Sequence, residues 1–426
     1  MIAGRGEGCA EESAVRLPDL VGVGVLTAAF PPEVVDLVVE RWDAREQRSR
    51  LLPARLVVYY VIACVLFMDS AYVEVWNRLL SGLSWAGRYR TRREVGMQPT
   101  AAALTKARGR LGPEVLEGVL ETSFGGSVVG PERAPWGYFH GLRKVAVDGF
   151  CLNVARTPEN VAAFGSPSNG QGPVGYPQVR VVALAETGTR CLRGVALGGL
   201  GEGEQPLART LWRLLGSTDV VVGDRNFLSY EDLGAIAATG AHAVFRVKAG
   251  VDLPVLRRLA DGSWISRIAD PVAARRLRRR KVPAAEIPGI EVRVIEYTVE
   301  TEPDQHGEYE VSELFCLVTT LLDERAYPLG DFPDLYRDRW RIETAIGEVE
   351  TRLRGGADVV LRSRKPDLVR QEVYGLLCLY QAIRHLIVAG AEQAGLDPDR
   401  ISFTRARDAV ARHVSDDAAF SPRTTG

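Results

Sequence analysis

The chain has 426 residues, 46% hydrophobic and 25% charged, with 43 Gly and 23 Pro; this globular composition excludes a collagen-like, low-complexity or wholly disordered protein. Lys and Arg number 53 against 54 Asp and Glu, a formal net charge of −1, so any nucleic-acid contact must come from local basic patches. Six cysteines stand far apart with no Cys-x-x-Cys and five histidines are equally scattered, which excludes a zinc knuckle, a disulfide scaffold and a His-rich metal site.

The length predicts two or three domains. Residues 1–16 are polar and Gly-rich, lack the apolar core of a signal peptide, and are expected to be a disordered start. Residues 17–125 read as a mainly helical N-terminal domain. Pro31-Pro32 opens one amphipathic stretch, Pro53 opens a second, and a third around 100–112 carries Lys106, Arg108 and Arg110. The apolar run 56–68 stops at Asp69 and is too short to span a bilayer, so the sequence predicts a soluble, cytoplasmic protein with no membrane partner. Between the second and third stretches lie Arg88, Arg90, Arg92 and Arg93 around Tyr89, either a solvated linker or a DNA phosphate-contacting segment.

From Lys144 the pattern turns to short β-rich runs: 144–147 ending at Asp148-Gly149, then 179–185, 193–197 and 220–222, the last ending at Gly223-Asp224. A helix over 229–239 and a strand over 242–248 follow, which together predict an α/β core with an open sheet. Residues 250–330 read as a β-rich insertion. Its strip from Arg275 to Lys281 includes Arg278, Arg279 and Arg280 and is either DNA-binding or an exposed, charged edge strand. One long helix is predicted over 333–354, stopped by Gly355-Gly356, and another over 367–388. The core is bounded at 140–390, leaving 391–426 as a tail whose end, after Ser415, is expected to be disordered.

Asp148 and Asp224 each close an apolar strand, an arrangement that is ordinary for a turn when taken alone. A helix packed on the sheet could bring Glu343 to the same spot, and three hard oxygen ligands suit Mg²⁺ or Mn²⁺, as one ion or a pair. At 100° per residue, Leu335, Ile342, Ile346, Val349 and Leu353 form the buried stripe of the 333–354 helix. Tyr336, Arg339, Glu343, Glu350 and Arg354 form a second stripe beside it, read either as a metal- and phosphate-facing rim or as a surface laced by i,i+4 ion pairs.

The segment Tyr336-Arg337-Asp338-Arg339-Trp340-Arg341-Ile342-Glu343 resembles the Tyr-x2-Arg-x3-Glu-x6-Lys signature of the insertion element 4 family of bacterial DDE transposases. The likeness extends through Leu353-Arg354-Gly355 and the run from Val360 to Glu372. Val147-Asp148-Gly149 with Thr157-Pro158-Glu159-Asn160 resembles the family's first-Asp region, Asp224-Arg225-Asn226-Phe227 its second, and Leu52-Pro53-Ala54-Arg55 the N-terminal domain of many members. The resemblance implies an RNase H-like catalytic core with a β-rich insertion between the second Asp and the Glu. It also implies metal-dependent cleavage at element ends and strand transfer into target DNA. On it, Asp148, Asp224 and Glu343 are the catalytic and metal-binding triad. Tyr336 and Arg339 contact the DNA end, and Arg354 is a further DNA-contact candidate. The expected cofactor is Mg²⁺ or Mn²⁺, as two ions. The expected partners are double-stranded DNA, as terminal inverted repeats and target, and a second copy in a homodimeric DNA complex. Three positions depart from the family pattern: Phe150, Arg156 and Glu350, the last in place of the Lys. They motivate a weakened or domesticated DNA-binding repressor as one alternative; an RNase H-fold nuclease without strand transfer is the other.

Overall fold

The computed structural model describes residues 26–45, 52–82, 98–125, 130–248, 250–299, 313–356 and 358–412. The Arg88–Arg93 cluster, the 1–16 start and the end of the tail lie outside the described residues. The N-terminal segment folds into helices α1 (Pro32–Arg41), α2 (Ala54–Leu66), α3 (Tyr72–Gly82), α4 (Ala101–Leu111) and α5 (Pro113–Glu121). Pro53 caps α2 in extended backbone, and the Thr100 hydroxyl accepts the Ala103 amide at the start of α4.

The sheet follows: β1 (Tyr138–Phe139), β2 (Leu142–Asn153), helix α6 (Pro158–Phe164), β3 (Gln178–Glu186), β4 (Leu192–Gly199), helix α7 (Glu204–Leu211), β5 (Asp219–Gly223), helix α8 (Tyr230–Ala238) and β6 (His242–Arg246). The insertion adds β7 (Arg257–Arg258), β8 (Trp264–Ala269), helix α9 (Pro271–Arg278), β9 (Gly289–Val299) and β10 (Glu313–Thr319). The strands join in the order β4-β3-β2-β5-β6-β10-β9-β8-β7, with β1 beside β2. β2, β5 and β6 run parallel; the flanking pairs are antiparallel, so the insertion extends the same sheet.

The basic strip is not the edge strand that its charge also allowed. Asp270 caps it, Pro271 opens it, and Arg275, Arg276 and Arg278 lie in a helix that buries Ala273 and Ala274 and leaves the cations exposed. The long helix expected over 333–354 is also revised. It is divided into α10 (Phe332–Arg337), α11 (Trp340–Gly347) and a π-helical turn, Glu348–Leu353. The break falls at Asp338, whose carboxylate takes Lys144 of β2 and Arg341 at 3.3 Å, while the Arg339, Arg341 and Ile342 amides bond three residues back. The chain then forms α12 (Pro366–Ala394) and α13 (Phe403–Arg412). α12 starts on Pro366 and stops at Gly395, whose φ of 64° is the left-handed conformation that favours glycine.

α12 is 29 residues long and apolar enough to cross a bilayer, yet 78% of its apolar window is buried inside the protein. It packs against α2, every residue of which from Leu56 to Val65 is buried, and against α5. Two polar residues inside this cluster link its helices. Arg108 of α4, 2% exposed, donates to the Ser363 hydroxyl and the Leu368 carbonyl at 3.0 Å. Gln371 of α12 donates to the Arg108 and Gly112 carbonyls at 2.7 and 2.9 Å. Replacing Arg108 by Ala would leave several of these groups buried without partners, at a cost of about 2–4 kcal/mol. The expected outcome is a clearly lowered melting temperature, measured by circular dichroism on the full chain.

Candidate active site

Strand parity aims the two aspartates. In β2, Val145 and Val147 pack on the face of α7 and α8, whereas Ala146 and Leu152 pack on the opposite face with Ile342 and Ala345 of α11. Asp148 shares the parity of Ala146, so it projects toward α11. In β5, Val221 packs with α7 and α8, whereas Val220 and Val222 pack against Leu335 and Tyr336 of α10. Asp224, two residues after Val222, leaves the strand on that same side.

The parallel ladder sets the spacing. It pairs Arg143 with Asp219 and continues in register to Ala146 with Val222. The same register, carried two positions further, directs Asp148 toward Asp224, which follows the last residue of β5. Gly223 permits the close approach there: a Cβ on it would fall 2.8 Å from Val147 Cγ1 and from Phe245 Cε1. Beyond the strand, Asp224 Oδ1 accepts the Asn226 amide at 2.7 Å.

α11, packed on β2, supplies Glu343. Arg339 lies between the carboxylates, with Nη1 2.7 Å from Glu343 Oε1 and 3.6 Å from Asp148 Oδ2. Its guanidinium also lies 5.8 Å from the Tyr336 ring centre and 5.4 Å from that of Trp340, and the residue is 9% exposed. Burial pushes the Asp148 carboxyl up to about 6, with the charges of Glu343 and Asp224 adding and the Gly149 amide and Arg339 opposing. All three carboxylates therefore share one electrostatic neighbourhood. Among the described residues no three acidic, histidine or cysteine groups stand close enough to enclose a metal. The donors are hard oxygens that suit a divalent cation, and in this structure the positive charge joining Asp148 to Glu343 is that of Arg339.

The remaining candidates differ in exposure. Tyr336 is 5% exposed beneath Arg339. Arg354 is 3% exposed, and its guanidinium donates to the Gly356 carbonyl at 3.0 and 3.1 Å, holding the Gly355-Gly356 turn. Glu350 is half-buried; burial raises its carboxyl and Arg354 opposes the rise. Arg278 pairs with Asp252 at 3.4 Å, and Arg279, Arg280 and Lys281 are exposed within the insertion. Among the described residues, no ion pair links this strip to the carboxylates.

Sequence reasoning missed two features. Trp340, 61% exposed, presents an open indole beside the carboxylates. A chain of ion pairs also anchors the Glu343 segment: Arg341 to Asp399 at 2.6 Å, Asp399 to Arg190 at 2.5 Å, Arg190 to Glu348 at 2.8 Å, and Glu348 to the fully buried Arg384. The π turn begins at Glu348, a position that an unbroken α-helix reading left off its buried stripe. The only available signal was the density of charged residues around it.

A carboxyl raised by burial stabilises the fold in its protonated form. That contribution is complete below the ordinary value of 3.8 and is lost as pH rises through about 6. Without metal, Asp148→Asn is therefore expected to be more stable than the parent by roughly 1–2 kcal/mol at pH 8 and equal to it near pH 3.5, as read from thermal melts in chelator.

The chain matches two described families: insertion element 4 transposase N-terminal over residues 20–121, and transposase DDE domain over residues 140–382. It is 27% identical over 396 residues to transposase InsG for insertion sequence element IS4 of Escherichia coli (strain K12), covering 92% of this chain and 83% of that protein. Among solved structures, it aligns with a piggyBac transposase synaptic complex with hairpin DNA at 11% identity and a TM-score of 0.42, covering 99% of this chain and 86% of the other.

Proposed function

Because the chain belongs to the insertion element 4 family of DDE transposases and is a DNA transposase, we propose that Asp148, Asp224 and Glu343 together carry its phosphodiester chemistry. The observation that supports this most directly is the β2–β5 register, which directs both aspartates toward the face on which α11 carries Glu343. Enzymes of this kind use divalent metal ions; we propose Mg²⁺ or Mn²⁺, as two ions held by these carboxylates. Such ions supply activation of a water or 3′-hydroxyl and stabilisation of the leaving oxygen.

The protein's own groups do the rest. The high pKa of Asp148 marks a carboxylate whose negative charge is poorly solvated, so cation binding at this spot is favoured as the proton leaves. Arg339 holds Glu343 toward Asp148, and its remaining guanidinium donors suit a phosphate oxygen of the DNA end. Tyr336 and Trp340 flank that guanidinium, and the exposed indole offers a surface on which an unpaired base can stack. The DNA partners are proposed to be the element's inverted repeats and a target duplex, bound by a homodimer in the cytoplasm. The helical N-terminal segment and the exposed cations at 278–281 are proposed to add phosphate contacts. Arg354, turned inward, is proposed to act by shaping the Gly355-Gly356 turn near the bound end.

Asp148→Ala, Asp224→Ala and Glu343→Ala are each expected to lower end cleavage in Mg²⁺ by at least about 10²-fold while the folded circular dichroism spectrum is retained. Parent-like cleavage by any one of them removes that residue from the triad. Affinity for an inverted-repeat duplex is expected to fall steeply with salt. Changing Arg278, Arg279 and Arg280 to Gln is expected to flatten the log–log slope by up to about 0.9 for each phosphate no longer neutralised, measured by fluorescence anisotropy.

A further inference from the structure

The pairing between β2 and β5 ends at Ala146 and Val222, short of both aspartates. Asp148 is still held by β3, where it stands opposite Ala183, but Asp224 has left the sheet. Its carboxylate is held by the amide of Asn226, and Asn226 is itself gripped by the first turn of α7. Its Nδ2 donates to Glu204 Oε2 at 2.8 Å, and its carbonyl accepts from Gln205 Nε2. Glu204 also lies against Gly149, where a Cβ would fall 3.0 Å from the Glu204 Cγ, Cδ and Oε1. Gly149 has the parity of Val147 and so faces α7, on the opposite side of the sheet from Asp148 and α11. Glu204 thus touches the backbone beside one aspartate and the loop that fixes the other, from the face that Glu343 does not occupy.

We propose that Glu204 is a positioning residue that sets the separation of Asp148 and Asp224 and thereby their joint affinity for a divalent cation. This rests on the reading of the three carboxylates given above. Glu204 acts through Asn226 and Gly149 and is not itself a ligand: one carboxylate oxygen is taken by the Asn226 amide, and its approach is from the far side of the sheet.

The test titrates Mn²⁺ into the full chain and reads bound ion by electron paramagnetic resonance, with metal-free melts alongside. Glu204→Gln keeps an acceptor oxygen for Asn226 and is expected to bind like the parent. Glu204→Ala is expected to raise the half-saturating Mn²⁺ concentration on the order of tenfold, as removal of a supporting partner does. Gly149→Ala, which pushes Glu204 away, is expected to weaken binding too, and to add nothing when combined with Glu204→Ala. An unchanged half-saturation in Glu204→Ala, whatever its melting temperature, overturns the proposal. Glu204→Gln as weak as Glu204→Ala overturns it in favour of direct ligation. Parent-like Mn²⁺ binding by Asp148→Ala and Asp224→Ala would instead remove the carboxylate reading, and this proposal with it.

Discussion

The site depends first on the register of one short parallel ladder. β2 and β5 pair over four residues each, and that register directs Asp148 and Asp224, 76 positions apart in the chain, toward the same end of the sheet. A slip of one residue would turn Asp224 to the other face of the sheet, away from α11. The core enforces the register from both sides: Val145 and Val221 are buried on the α7–α8 face, and Ala146 and Val222 on the other. Gly223 completes the constraint by leaving room for Val147 and Phe245 at the point where the strands end.

The second requirement is a helix held still over the sheet. A continuous helix over 333–354 would carry Glu343 on a regular stripe, but the observed segment bends at Asp338 and widens to a π turn at Glu348. Each irregularity coincides with a charge that the fold draws inward: Asp338 to Lys144, and Glu348 to Arg190 and Arg384. Removing one member of such a pair strands the other in a dry interior, so these contacts secure geometry more than net stability. Their geometric effect is to seat α11 so that Arg339 spans Asp148 and Glu343.

Several residues that carried the family resemblance are hydrogen-bonded where segments of the fold meet. Thr157 caps α6, and the Asn160 amide donates to the Ala155 and Ser363 carbonyls at 2.9 and 3.2 Å. Glu372 accepts the Arg362 and Ser363 amides, while the Arg362 guanidinium donates to the Cys64 and Ser70 carbonyls at the end of α2. The sheet-bearing core and the helical N-terminal segment therefore meet through one buried cluster with α12 at its centre. Arg108, one of three cations on α4, is a member of that cluster and not a surface charge.

By itself the sequence determined most of the elements, the family, and the residues that are candidates for the chemistry. Short, continuous apolar runs ending in Asp148-Gly149 and Gly223-Asp224 marked β2 and β5, Pro53 marked a helix start, and the spacing from Tyr336 to Glu343 marked the family, because these signals are local. Tertiary structure alone decided what lies at long range or breaks a period. The first part of the basic strip, Arg275 to Arg278, became the end of a helix, since Asp270 and Pro271 cap its start and two alanines find a core to enter. Arg339 became the bridge between Asp148 and Glu343, Arg354 turned inward, and Glu204 arrived beneath Gly149. No periodicity encodes those placements; they follow from which strands pair and which helix faces are left to be covered once the sheet has closed.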